Sequence, residues 1–205
     1  MKVTAQDRAR KIKIVLFDVD GVLTDGSIWI YPMPVALPDG SIVTKMVEAK
    51  GYNAHDGAGM TLARLGGMKV GIITKRISET VALRARDLKL EFVYQGQAFK
   101  MHAIREIMEK EGVTLEEIAF VGDDVIDLPA IRQCGFAVAV ANARAQVKAE
   151  AHYVTACRGG EGAARDVIEF ILEAKGLLRQ CIEASIDESN SLPPSIDIGK
   201  GGDLK

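Results

Sequence analysis

Along the chain, short apolar runs alternate with longer segments that are apolar on one face only. The short runs cover residues 12–17, 69–73, 92–94, 118–121, 136–140 and 152–154. They are rich in β-branched and aromatic residues and mostly continuous, the pattern of strands covered on both faces. The longer segments carry helix punctuation. Ser78 stands as an N-cap before 79–87, and residues 100–111 place Ile104, Ile107 and Met108 on one face before stopping at Gly112. Thr114 and Glu117 have capping-box spacing. Pro129 opens a short helix that ends at Gly135, and Val167, Phe170, Ile171 and Ala174 form a stripe that ends at Gly176. This strand–helix alternation predicts an α/β fold built on a doubly wound parallel sheet.

Two stretches break the alternation. Residues 28–47 hold Trp29, Ile30 and Tyr31, then Pro32, Pro34 and Pro38, then Asp39-Gly40 and a second β-type run from Ser41 to Thr44. Asp-Gly between two such runs predicts a hairpin, with a first arm made irregular by its prolines. Residues 187–205 are dominated by Ser, Pro, Gly and charge and read as a disordered tail. Residues 177–186 are amphipathic and are expected to extend the last helix or to meet a partner. The expected organisation is an N-terminal extension (1–10), one domain (11–176) with a flap at 28–47, and a C-terminal extension (177–205).

Composition narrows the class without naming a function. The 205 residues are 48% hydrophobic and 26% charged, with 26 Lys plus Arg against 28 Asp plus Glu. Such values exclude collagen, coiled coil and wholesale disorder. A net charge of −2 gives no electrostatic reason to bind nucleic acid or an anionic membrane. The three cysteines, Cys134, Cys157 and Cys181, suggest neither a disulfide framework nor a zinc knuckle. No apolar run nears the roughly 20 residues of a membrane span, and the N-terminus has no secretory pattern. A reduced cytoplasmic protein is expected.

In open α/β sheets, ligands bind beyond the carboxyl ends of the strands. Asp18 and Asp20 follow the first run, Thr74-Lys75-Arg76 the second, a short loop to Lys100 the third, and Gly122-Asp123-Asp124 with Asp127 the fourth. Four strand ends thus offer carboxylates, a hydroxyl and an ammonium to one place. Clustered carboxylates repel one another unless a cation neutralises them. An oxygen-rich site with few ligands suits Mg²⁺, and a hydroxyl and a lysine beside it suit phosphate oxygens. A carboxylate nucleophile with metal and lysine support is a workable design for phosphoryl transfer. A lysine at a helix start also calls for a local anion, because that end of the helix dipole is positive.

The same residues carry a family resemblance. Asp18-Val19-Asp20-Gly21-Val22-Leu23-Thr24-Asp25-Gly26 resembles the first motif of the haloacid dehalogenase (HAD) superfamily in its aspartate-nucleophile phosphatase form. Ile73-Thr74 resembles the second motif, Lys100 the third, and Gly122-Asp123-Asp124 with Asp127 the fourth. Tyr94-Gln95-Gly96 through Lys100, Asp56-Gly57-Ala58-Gly59, and the stretch from Arg158 to Asp166 resemble the capless 3-deoxy-D-manno-octulosonate 8-phosphate (KDO 8-phosphate) phosphatases. The resemblance implies a Rossmann-like doubly wound sheet with a β-hairpin flap and no large cap domain. It also implies a homotetramer whose neighbours complete each active site. Lys75 stands where that family usually has glycine, and Ala54-His55 where a valine and a basic residue are usual.

On this resemblance Asp18 is the nucleophile, and Asp20 the general acid and then the general base. Thr74 and Lys100 bind the transferring phosphoryl group. Mg²⁺ is held by Asp18, Asp20 and Asp123, with Asp124 and Asp127 as further candidates. Asp127 has the alternative role of orienting Lys100, and Asp124 that of capping a helix. Lys75, Arg76, Asp56, Gly57, Arg158 and Arg165 are the candidate substrate-binding residues, the arginines because a guanidinium pairs bidentately with a sugar carboxylate. His55, before an expected turn at Asp56-Gly57, reads as structural, with substrate contact as the alternative; His102 and His152 read as structural. The implied substrate is a phosphorylated acidic sugar. A phosphatase for another nonulosonate phosphate, or an accessory subunit like the delta subunit of phenylphosphate carboxylase, is the alternative. No dinucleotide fingerprint, Walker A motif or hydrolase triad competes.

Overall fold

The computed structural model describes residues 3–187. Helix α1 (Ala5–Ala9) opens the chain, held by a capping box between Thr4 and Asp7. β1 (Ile14–Phe17) leads into a ribbon of β2 (Trp29–Ala36) and β3 (Ile42–Ala49), and then α2 (Ala54–Leu65). Strands and helices then alternate through β4 (Lys69–Ile73), α3 (Glu79–Asp87), β5 (Phe92–Tyr94), α4 (Lys100–Glu111), β6 (Ile118–Gly122), α5 (Leu128–Ile131), β7 (Phe136–Ala139), α6 (Ala145–Glu150) and β8 (Tyr153–Val154). Helices α7 (Ala163–Ala174) and α8 (Leu178–Ile186) close the described chain.

The main sheet has the order β5-β4-β1-β6-β7-β8, and all its pairs are parallel. All four residues of β1 are buried, as are all of β6 and β7, because helices cover both faces. Chain order reverses around β1, whose neighbours are β4 and β6. That switch point is where an open parallel sheet forms a crevice. Register makes the crevice level: Phe17 pairs with Ile72 on one side and Val121 on the other. The residues just past these strand ends therefore arrive at one height.

The insert between β1 and α2 is a two-stranded antiparallel ribbon, and among the described residues no cap domain is present. Its first arm is regular, contrary to the expectation from its prolines: Pro32 pairs with Met46 and Pro34 with Thr44 in unbroken register. Two residues apart, both proline nitrogens face the same edge, and in a two-stranded ribbon that edge is open, so no ladder bond is lost. The Asp39 carboxylate closes the turn by accepting the Ser41 amide at 2.9 Å.

Three helices lie where no helix was expected, α1, α2 and α6. In α2, Asp56-Gly57 reads as a turn but continues the helix. Its glycines serve close packing: a Cβ at Gly59 would lie 3.0 Å from Arg165 Cα, and one at Gly57 would lie 3.0 Å from Leu88 Cδ2. The segment 177–186 does not extend α7. Gly176, at φ +71°, breaks the helix, and α8 folds back with Cys181 buried near Gly66. The N-terminal extension is likewise integrated, with Ala9 in the core. The expected disorder after 187 lies outside the described residues.

Candidate active site

Asp18 follows β1 directly and is 5% exposed. Its Oδ1 lies 2.8 Å from Lys100 Nζ, which also lies 2.5 Å from Asp127 Oδ1 and 5.5 Å from the centre of the Phe120 ring. The first residue of α4 is therefore a buried ammonium shared by two carboxylates from two other elements. Burial alone would push the Lys100 ammonium down, but Asp18 and Asp127 outweigh it and hold it above its ordinary value. Asp127 has no free oxygen: Oδ1 faces Lys100, and Oδ2 accepts the amides of Asp123 at 2.9 Å and Asp124 at 3.3 Å. It braces the loop after β6 and orients Lys100.

Asp123 is different. Its Oδ1 is buried without a hydrogen-bond partner. Burial, then Asp18, Asp127 and Asp124, push its carboxyl up to about 7. Asp18 is pushed up to about 6 by burial, with Lys100 opposing and Asp127 adding to the rise. Oxygens of Asp18, Asp123 and Asp127 lie within 4.8 Å of one another. An orphaned carboxylate oxygen in an all-oxygen cluster of excess negative charge fits a hard divalent cation. Gly21, at φ +90°, permits the cluster, since a Cβ there would strike the Asp123 carboxylate.

Thr74 is 2% exposed at the end of β4, and its backbone is fixed by the Tyr94 carbonyl at 2.9 Å and the Gln97 amide at 3.0 Å. Lys75 beyond it is exposed and makes no ion pair among the described residues. Asp20 lies on the same loop as Asp18 but faces other partners. Its Oδ1 accepts from Lys50, at the foot of the ribbon, and its Oδ2 lies 3.7 Å from Arg76 Nε.

The remaining candidate residues take these positions. Asp56 is 3% exposed, and its Oδ1 accepts the Arg165 amide at 3.0 Å, which ties α2 to the start of α7. Gly57 is a packing residue. Arg165 pairs along its own helix with Glu169 at 2.5 Å. Arg158 is exposed, 3.9 Å from Glu161. Asp124 is exposed and accepts the Val125 amide at 2.7 Å, the capping alternative. Ser78 caps nothing with its side chain; its hydroxyl donates to Glu48 on β3 at 2.7 Å. His152 accepts the Ala137 amide at 2.9 Å, a structural role.

Other residues escaped the sequence reading. Asn142 donates to the Gly21 carbonyl at 2.9 Å and accepts the Gly159 amide at 2.6 Å, clamping the loop after β1 to the glycine-rich turn before α7. Lys50 and Glu48 went unnoticed because nothing in a strand-end lysine marks it as buried. Beside these loops opens a cavity of about 410 Å³ lined by Asp25, Gly51, Tyr52, Asn53, Ala54, Gly160 and Glu161.

Residues 72–165 match the family described as haloacid dehalogenase-like hydrolase. The chain is 36% identical over 179 residues to the 3-deoxy-D-manno-octulosonate 8-phosphate phosphatase KdsC of Escherichia coli K12, covering 87% of this chain and 89% of that one. It superposes on the Moraxella catarrhalis KDO 8-phosphate phosphatase, solved with magnesium, phosphate and KDO, with a TM-score of 0.77 and 34% identity over 88% of this chain and 97% of that one. The cobalt-bound Haemophilus influenzae enzyme gives 0.73 and 32%, covering 89% and 96%.

Proposed function

Because this chain belongs to the haloacid dehalogenase-like hydrolases, we propose that it is a Mg²⁺-dependent phosphomonoesterase acting through an aspartyl-phosphate. Its substrate class is a phosphorylated acidic sugar, with KDO 8-phosphate first. The observation that carries this reading is the buried Asp18–Lys100–Asp127 arrangement beside the unpartnered Asp123 oxygen. Similarity to phosphatases named for KDO 8-phosphate supports the substrate.

Asp18 attacks phosphorus, forming a carboxyl–phosphoryl bond as the ester oxygen departs. Asp20 gives its proton to that oxygen, which leaves as the sugar hydroxyl. Asp20 then takes a proton from water, whose oxygen attacks phosphorus and releases phosphate and free Asp18. Lys100 keeps Asp18 ionised and offsets phosphoryl charge, and Thr74 hydrogen-bonds the phosphoryl oxygens. Asp18, Asp123 and the backbone of Asp20 would hold Mg²⁺, which when bound offsets the negative charge of Asp18 and the phosphoryl group. Lys75 and Arg76 face the acidic sugar.

The ribbon supports assembly. Trp29, Ile30, Tyr31, Met33, Ile42 and Met46 are each about half exposed or more, which suits a homotetramer in which neighbouring copies complete each site. A cytoplasmic location belongs to the same reading; no helix among the described residues is long and apolar enough to cross a membrane.

The test is phosphate release from KDO 8-phosphate, a panel of sugar phosphates and phenyl phosphate, with Mg²⁺ or EDTA. Metal-dependent turnover favouring KDO 8-phosphate, lost in Asp18→Asn, is the expected result. Preference for another sugar would keep the mechanism and change the substrate. No turnover from folded protein would favour the accessory-subunit reading.

A further inference from the structure

Asp20 sits in a closed ring of alternating charge. Lys50 Nζ donates to Asp20 Oδ1 and lies 3.4 Å from Glu48 Oε1. Glu48 Oε2 accepts from Arg76, and Arg76 Nε lies 3.7 Å from Asp20 Oδ2. The ring joins three separate segments: the loop after β1, the return strand of the ribbon with its foot, and the loop after β4. The Lys50 side chain is 0% exposed, although its charge is the kind normally left in water. Ser78 adds a hydrogen bond to Glu48 from the start of α3. Burial alone would raise the Glu48 carboxyl, but Ser78, Arg76 and Lys50 outweigh it and hold it below its ordinary value.

The contacts to Asp20 are unequal. Oδ1 carries the Lys50 hydrogen bond, whereas Arg76 stands beyond hydrogen-bond distance of Oδ2. Only Oδ2 is left to exchange a proton. We propose that Lys50, held by Glu48, is a positioning residue that fixes the Asp20 carboxylate so that Oδ2 faces the leaving group. The ribbon thus reaches into the chemistry through its foot, independently of anything its exposed face contacts. A lysine buried with two acids is an expensive way to attach a hairpin, and what it provides beyond attachment is orientation.

The inference rests on Asp20 acting as the general acid, and its test separates the two ideas. The value of kcat/KM reports steps through leaving-group departure, so it isolates the protonation that Asp20 performs. Lys50→Met is compared with wild type on KDO 8-phosphate, or whichever sugar phosphate the panel selects, and on p-nitrophenyl phosphate, whose leaving group departs without a proton. The expected result is a loss of about 100-fold on the sugar phosphate and about threefold or less on the aryl ester. Equal losses on both, with a wild-type circular dichroism spectrum, would overturn the positioning role and leave the proposed function standing. If wild type hydrolyses neither, the proposed function fails and takes this inference with it. Should Lys50→Met not fold, Glu48→Gln replaces it. That variant keeps the side-chain shape and removes one charge, and it is expected to show a smaller loss in the same order; uniform loss there also overturns the proposal.

Discussion

Lys100 Nζ stands 2.8 Å from Asp18 Oδ1, with both side chains almost wholly buried. The pair crosses from α4 to the residue just after β1, and Asp127 completes it from the loop after β6. Lys100→Met leaves two buried carboxylates unneutralised. Turnover should fall by about 100-fold or more, and urea unfolding should show a loss of about 3 kcal/mol. A variant that loses activity without losing stability would show that the lysine acts on substrate alone.

The acids predict an unusual pH dependence. Asp18 and Asp123 are raised from 3.8 to about 6 and about 7. In the metal-free fold they keep protons that the unfolded chain has already released. Their contribution to stability is therefore full below pH 3.8 and is lost as pH rises through 6 and 7, opposite to a salt-bridged aspartate. Mg²⁺ binds the ionised form, so its stabilisation should grow over the same window. Thermal melts with EDTA and with Mg²⁺ should differ by about 4 °C more at pH 8 than at pH 5. Asp123→Asn should remove most of that difference.

Gly21 tests how tightly the site is built. At φ +90° it admits the Asp123 carboxylate against its backbone. Gly21→Ala adds backbone strain of about 1–3 kcal/mol and displaces that carboxylate. The Mg²⁺ concentration for half-maximal activity should rise several-fold while circular dichroism stays native. An unchanged metal requirement would place the cation elsewhere.

Lys75 separates binding from chemistry. It is exposed beside the buried Thr74 and makes no ion pair among the described residues. Lys75→Gly should raise KM for an acidic sugar phosphate by about three- to fivefold at low salt, with the difference shrinking as salt screens it. The kcat value, and turnover of uncharged aryl leaving groups, should hardly move.

Local sequence determined the parallel sheet, the helices with clear caps, and the residues that follow each strand. Buried strands have a continuous apolar signature, and a parallel sheet carries its strand ends to one edge, so Asp18, Thr74, Lys100 and Asp123 were legible as a group. Tertiary structure decided the rest. Asp56-Gly57 has the composition of a turn, yet it lies in a helix whose glycines admit Arg165 and Leu88. Asp56 itself serves α7, 109 residues from the Arg165 amide it accepts. Asp20 meets Lys50 and Glu48 meets Ser78 across 30 residues each, only because the ribbon folds its foot back over the strand ends. Motif spacing reports which groups share an edge of the sheet. Which partner each charge takes depends on burial, where an unpaired charge is too costly to leave and the nearest counter-charge comes from wherever the chain returns.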